Sequence, residues 1–148
     1  MTKNKKPLIL IGIVALIILI IGWLMSGYND MVKLDENVNR EWSQVENQYQ
    51  RRLDLIPNLV NVVKGYASHE KETLEGVIEA RAKATQTTID PSNMTEEQLA
   101  NFQKSQDGLS GALNRLMVVV EKYPDLKATE NFKQLQDQLE GTENRITL

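Results

Sequence analysis

Apolar residues recur three or four positions apart from Met31 to Leu74, at Met31, Leu34, Val38, Trp42, Val45, Tyr49, Leu53, Ile56, Val60, Val63, Ala67 and Leu74. That spacing puts them on one face of a long amphipathic helix. As far as Val60 the stripe repeats every eleven residues, as in Met31/Trp42/Leu53, Leu34/Val45/Ile56 and Val38/Tyr49/Val60. Such a period keeps a face on a straight or slightly right-handed helix. From Leu53 onward the stripe also reads as heptads: Leu53, Val60, Ala67 and Leu74 fall seven apart, as do Ile56, Val63 and Val77 with Glu70 as the exception. Heptads favour left-handed packing against neighbouring helices. The change of period falls close to Pro57.

Upstream, Leu8 to Met25 is an eighteen-residue run, LILIGIVALIILIIGWLM, without a charge or a strongly polar group. At ~1.5 Å per residue it crosses most of the hydrocarbon layer, which predicts a single-pass transmembrane helix with Leu8, Ile13, Leu16, Ile20, Trp23 and Met25 in the lipid bilayer. A cleaved signal peptide is the alternative, but its apolar core is usually only ~7 to 15 residues and MSGYND makes a poor cleavage site. Trp23 and Tyr28 stand where an interfacial belt would hold them. The expected organisation is a basic cytoplasmic tail over 1–7, an anchor over 8–27 and a helical body over 28–148. Lys3, Lys5 and Lys6 precede the span, whereas Lys33 and Arg40 lie among acidic groups after it. The positive-inside rule then keeps the amino terminus cytoplasmic and places the carboxy-terminal body outside the cell membrane.

Composition narrows the function classes. There is no cysteine, hence no disulfide, thiolate metal site or cysteine nucleophile, and the one histidine, His69, cannot build a His-rich site from this chain alone. Once Lys3, Lys5 and Lys6 are set aside the remainder carries 14 basic against 20 acidic residues, a balance of −6. An acidic body argues against a nucleic-acid partner, since binding there needs phosphates neutralised by Lys and Arg.

From Tyr28 to about Gln86 the only breaks in pattern are Pro57 and Gly65, neither inside a polar turn cluster. The expectation is one continuous helix kinked at Pro57, where the proline removes a backbone donor and crowds the carbonyl of Leu53. The rivals break it at Pro57, or at Ser68 with its hydroxyl capping a helix that starts at His69. TTIDPSNMTEE, residues 87–97, is the clearest loop. Thr95 and Gln98 there form a capping box that starts a second helix at Glu96. Its face carries Leu99, Phe102, Leu109, Leu113, Leu116, Val120 and Tyr123, stepping through Gln106. Gly108 and Gly111 weaken it by about 1 kcal/mol each and suggest close helix contact. Tyr123-Pro124-Asp125 ends it, and Thr129 caps a third helix with Phe132, Leu135, Leu139 and Ile146 on one face. Short loops make neighbours antiparallel. The fold class is therefore all-α, a single amino-terminal transmembrane helix followed by an antiparallel helical bundle with a long first helix. With the second helix expected to reach back only to about Pro57, Met31, Leu34, Val38, Trp42, Val45 and Tyr49 are left as an uncovered interaction stripe.

Catalytic chemistry finds no foothold. HEKET, residues 69–73, lacks the second histidine that a zinc site of the H-E-x-x-H type needs one turn on, and His69 reads as a solvated surface residue. Gly-rich phosphate loops, serine elbows and carboxylates at metal spacing are absent from the sequence. Arg51-Arg52 reads as a solvated pair, with lipid headgroups as the alternative partner. No catalytic, cofactor or metal site is expected.

With these residues in hand, the chain resembles the LemA family of bacterial membrane-anchored helical proteins. The match is carried by YNDMVKLDENVNREWSQVENQYQRRLDLIPNLVNVVKGYASHEKETLEGVIEARAKA and by LSGALNRLMVVVEKYPDLKATENFKQLQDQLEGTENRI. RRLDLIPNLV, EARAKA and YPDLKA at these separations are its most specific part. The resemblance implies an antiparallel bundle outside one transmembrane helix, without established enzymatic activity or cofactor, in a family that includes a relative associated with building magnetosome membranes. It also implies a further helical stretch beyond Glu143–Ile146, so a chain ending at Leu148 is expected to lack the bundle's last helix. The expected function is a non-enzymatic scaffold of the cell envelope that forms a homo-oligomer or binds partner membrane proteins. The alternative is an adaptor or sensor for an envelope stress or membrane protease system.

Overall fold

The computed structural model describes residues 6–147, with side chains described for 9–146. Lys3 and Lys5 of the basic tail lie outside the described residues, as does the side chain of Leu8. The described chain is helical without a strand: α1 spans Lys6–Tyr66, α2 Lys71–Gln86, α3 Glu96–Val120, α4 Pro124–Lys127 and α5 Glu130–Thr147, with a 3-10 turn at Pro91–Asn93. Two compact units divide between Arg40 and Glu41, and α1 contributes to both.

In the first unit α1 holds a window long and apolar enough to cross a membrane, with a mean hydropathy of 2.9 and none of it buried. An apolar helix surface of this kind has hydrocarbon as its natural solvent.

The second unit is an antiparallel four-helix bundle of α2, α3, α5 and the part of α1 from Glu41 onward. Arg81 of α2 meets Leu53 of α1 across the turn at 67–70, which makes the two a hairpin. Phe102 near the start of α3 meets Tyr49, while Tyr123 just past its end meets His69, so α3 runs in the direction of α1. Glu143 of α5 returns to Arg52. Between these ties lie the fully buried Ile56, Leu59 and Val63 of α1, Val77 of α2, Leu109, Leu116 and Val120 of α3, Leu126 of α4 and Phe132 of α5.

Pro57 is accommodated inside α1 rather than breaking it. A proline has no N–H, so the carbonyl of Leu53 four residues earlier loses its helical donor. Arg81 supplies a replacement, its Nε donating to Leu53 O at 2.8 Å. A buried carbonyl is thereby satisfied from the neighbouring helix.

The expected continuity through Ser68 is corrected. α1 stops at Tyr66 and α2 starts at Lys71, with Glu70 as an N-cap that makes no side-chain cap bond, so Ser68 does not cap either. The heptads hid the turn because it preserves helical spacing: Ala67 N donates to Val63 O, Glu70 N to Ala67 O and Leu74 N to Glu70 O. Ala67 and Leu74 stay buried on either side of it. Among the described residues none adopts a positive φ, so the usual glycine signature of a helix end is missing.

The other boundaries agree with the sequence. Thr95 N donates to Gln98 Oε1 at 3.0 Å and Gln98 N to Thr95 Oγ1 at 3.2 Å, the reciprocal capping box. Asp90 Oδ1 accepts from Ser92 N and tightens the loop before it. Past Tyr123, Pro124 opens the one-turn α4, and Thr129 Oγ1 accepts from Phe132 N at the head of α5. Close contact at Gly108 and Gly111 is not found, since a Cβ at either would meet open space.

Candidate functional site

The residues of the expected stripe divide into two groups. Met31, Leu34 and Val38 are 65 %, 64 % and 54 % exposed. Trp42, Val45 and Tyr49, in the bundle unit, are half-buried. Their cover corrects the expected reach of the second helix. The turn at 67–70 sends α2 back along α1, so that α3 starts beside Tyr49, well past Pro57. The Phe102 ring packs edge-on against Trp42 at 5.8 Å and against Tyr49 at 4.8 Å between centroids. Both arrangements are favourable edge-to-face contacts. The anchor residues Ile13, Leu16, Ile20, Trp23 and Met25 are all exposed.

Around the Tyr49 phenol, burial raises the pKa from its usual value near 10; Arg52 opposes this and Asp107 adds to it. Beside it, Trp42 and Gln106 line a small cavity under Ile89.

Arg52 is the main departure from the sequence reading. Instead of a solvated partner to Arg51, it is 3 % exposed. Its Nη2 donates to Ser110 Oγ of α3 at 2.7 Å and to Glu143 Oε1 of α5 at 2.8 Å. Burial lowers the guanidinium's pKa while Glu143 and Tyr49 pull it back up. A buried cation needs such partners, because desolvation alone costs several kcal/mol. In sequence Arg52 sits one place before the heptad position Leu53, where a long polar side chain usually reaches water. Only the distant Glu143 distinguishes it.

At the opposite end the Tyr123 hydroxyl donates to Glu70 Oε1 at 3.2 Å and lies 2.9 Å from His69 Nε2. Desolvation and then Glu70 raise the Tyr123 pKa. His69 is thus exposed but engaged, at a turn rather than on a helix surface. A cleft of about 790 Å³ between α2 and α3 is edged by Thr88, Gln98, Asn101 and Lys104. Lys83 at its rim is held by Glu79 at 2.8 Å. Among the described residues no group of three or more His, Asp or Glu is placed to share a metal ion.

A family model described as the LemA family matches residues 41–148. Its first residue is the one at which the bundle unit begins. The chain is 26 % identical over 147 residues to magnetosome protein MamQ 2 of Paramagnetospirillum magneticum, covering 88 % of this chain and 54 % of that protein. It is 27 % identical over 119 residues to protein LemA of Metamycoplasma hominis, covering 80 % of this chain and 50 % of that one. To magnetosome protein MamQ of Magnetospirillum gryphiswaldense it is 26 % identical over 163 aligned positions, covering 99 % and 60 %. The chain therefore spans about half the length of the curated relatives it matches.

Proposed function

Because the chain belongs to the LemA family, and because Met31, Leu34 and Val38 leave apolar surface uncovered outside its bundle, we propose that it is a membrane-anchored, non-enzymatic scaffold of the cell envelope that self-associates through that surface. The exposed triplet carries the reading. Contiguous apolar surface beyond a few hundred Å² is uncommon on proteins that work alone and usually marks an interface. A second copy is the favoured occupant for a geometric reason. Copies held in one membrane by the same end are already parallel, so the Met31, Leu34 and Val38 of each stand at the same height along the helix as those of its neighbour. No new segment has to be ordered to bury them.

The lipid bilayer is the other partner, taken up by α1 from Ile9 onward, with the amino terminus in the cytoplasm and the bundle outside. A cysteine replacing the exposed Ser68 in this cysteine-free chain should react with an impermeant thiol reagent on intact cells. Protection there, with labelling of Thr2→Cys instead, reverses the orientation.

Self-association is tested by the mass of the full chain in mild detergent. The native chain should give a defined homo-oligomer, and Leu34→Glu with Val38→Glu should reduce it to the monomer without loss of helix content. A monomer in the native chain contradicts the scaffold reading and favours an adaptor that captures other membrane proteins.

A further inference from the structure

Among the described residues three buried side-chain polar atoms have no protein partner, the Nε of Arg52 and, nearer the head of α3, the Nε1 of Trp42 and the Oε1 of Gln106. Trp42 and Gln106 line the same small cavity of about 50 Å³, together with Tyr49, Phe102 and Ile89. Gln106 is 6 % exposed and occupies a position on the apolar stripe of α3, between Phe102 and Leu109, where the helical pattern calls for a hydrophobic side chain. One of the two atoms can only donate and the other can only accept. They do not bond each other, although each would cost free energy if left alone in the interior.

We propose that Trp42 and Gln106 hold a buried water between them, its oxygen accepting from the indole N–H and one of its hydrogens donated to the amide oxygen. The cavity's size selects the ligand. It exceeds the roughly 10 to 15 Å³ that one water requires, and it falls far below the several hundred Å³ of an organic ligand site. The polarity agrees as well, because an apolar void of this size would stay dry, whereas one lined by residues with an unpaired donor and an unpaired acceptor does not.

The bridge has a use in folding. The apolar face of α1 repeats every eleven residues, so a slip of α3 by one repeat would set Met31 or Leu53 in the place of Trp42 and keep much of the apolar contact. It would also take the unpaired indole N–H away from the cavity that Gln106 lines. The hydrated pair therefore fixes which repeat of α1 receives the head of α3, at a point where hydrophobic contact alone discriminates weakly.

The test uses the full chain in detergent micelles, carrying Trp23→Phe so that Trp42 is the single indole. In nitrogen-edited water experiments the Trp42 indole proton should show a dipolar cross-peak to water, opposite in rotating-frame sign to chemical exchange, while exchanging slowly with deuterium. Gln106→Leu should drive that cross-peak into the noise. A slowly exchanging indole without a dipolar water peak overturns the proposal, as does an undiminished peak in a folded Gln106→Leu variant. Should that variant unfold, Gln106→Met, which keeps the length of the side chain, is measured in its place. The result with the native glutamine decides whether water is there at all.

Discussion

Arg52 and Tyr49 show how little a side chain's type says about its surroundings until its partners are known. The pair of Arg52 with Glu143 is unequal, since the guanidinium is buried and the carboxylate is 49 % exposed. Removing the carboxylate strands a charge, whereas removing the arginine frees a group that water can reach. Glu143→Ala should therefore cost about 1.5 to 3 kcal/mol in chemical denaturation, the range for charged hydrogen bonds. Arg52→Met, a hydrophobe of similar length, should cost less, and Glu143→Ala added to it should cost little more. An additive pair would mean that the two side chains do not act together. Tyr49 makes a statement about pH. Its folded pKa is raised, chiefly by burial, so its contribution to stability is complete below the unfolded value near 10 and is lost as pH rises through the folded value. Tyr49→Phe should leave denaturation midpoints flatter above pH 10 than in the native chain. An identical alkaline slope would place the raised group elsewhere, with Tyr123 the next to test.

At the scale of the helices, the sequence told which segments are helical far better than where one of them turns. The capping box at Thr95 and the proline after Tyr123 are local chemistry and can be read in a few residues. The turn at 67–70 is not, because it keeps heptad spacing and uses no residue of positive φ. That one missed turn displaced the expected reach of α3, and with it the exposure of Trp42, Val45 and Tyr49. The burial of Arg52 was out of reach for a related reason: its partner lies 91 positions away on a helix whose register follows from the turn. The two motifs RRLDLIPNLV and EARAKA acquire a physical link through Pro57. Arg81→Ala should cost about 1 to 1.5 kcal/mol by leaving the Leu53 carbonyl unpaired. In a Pro57→Ala background the backbone supplies its own donor, and the same change should cost clearly less. Equal costs in both backgrounds would show that Arg81 serves some other group.

Considered whole, the chain joins a long apolar helix to a helical bundle, and along the sequence the exposed apolar side chains of Met31, Leu34 and Val38 fall between the two. The long apolar helix and the helical bundle could be read from hydropathy and periodicity. The occupant of the stripe could not, because an apolar face specifies burial and not the partner. The most direct test is a scan of single cysteines through residues 31–38 in native membranes under mild oxidation, possible because the chain has no cysteine of its own. Self-association of parallel copies predicts disulfide-linked dimers at Met31, Leu34 and Val38 and few at Lys33 and Glu36, which point the other way on a helix. Cross-linking with no such helical period, or none at any position, would contradict it.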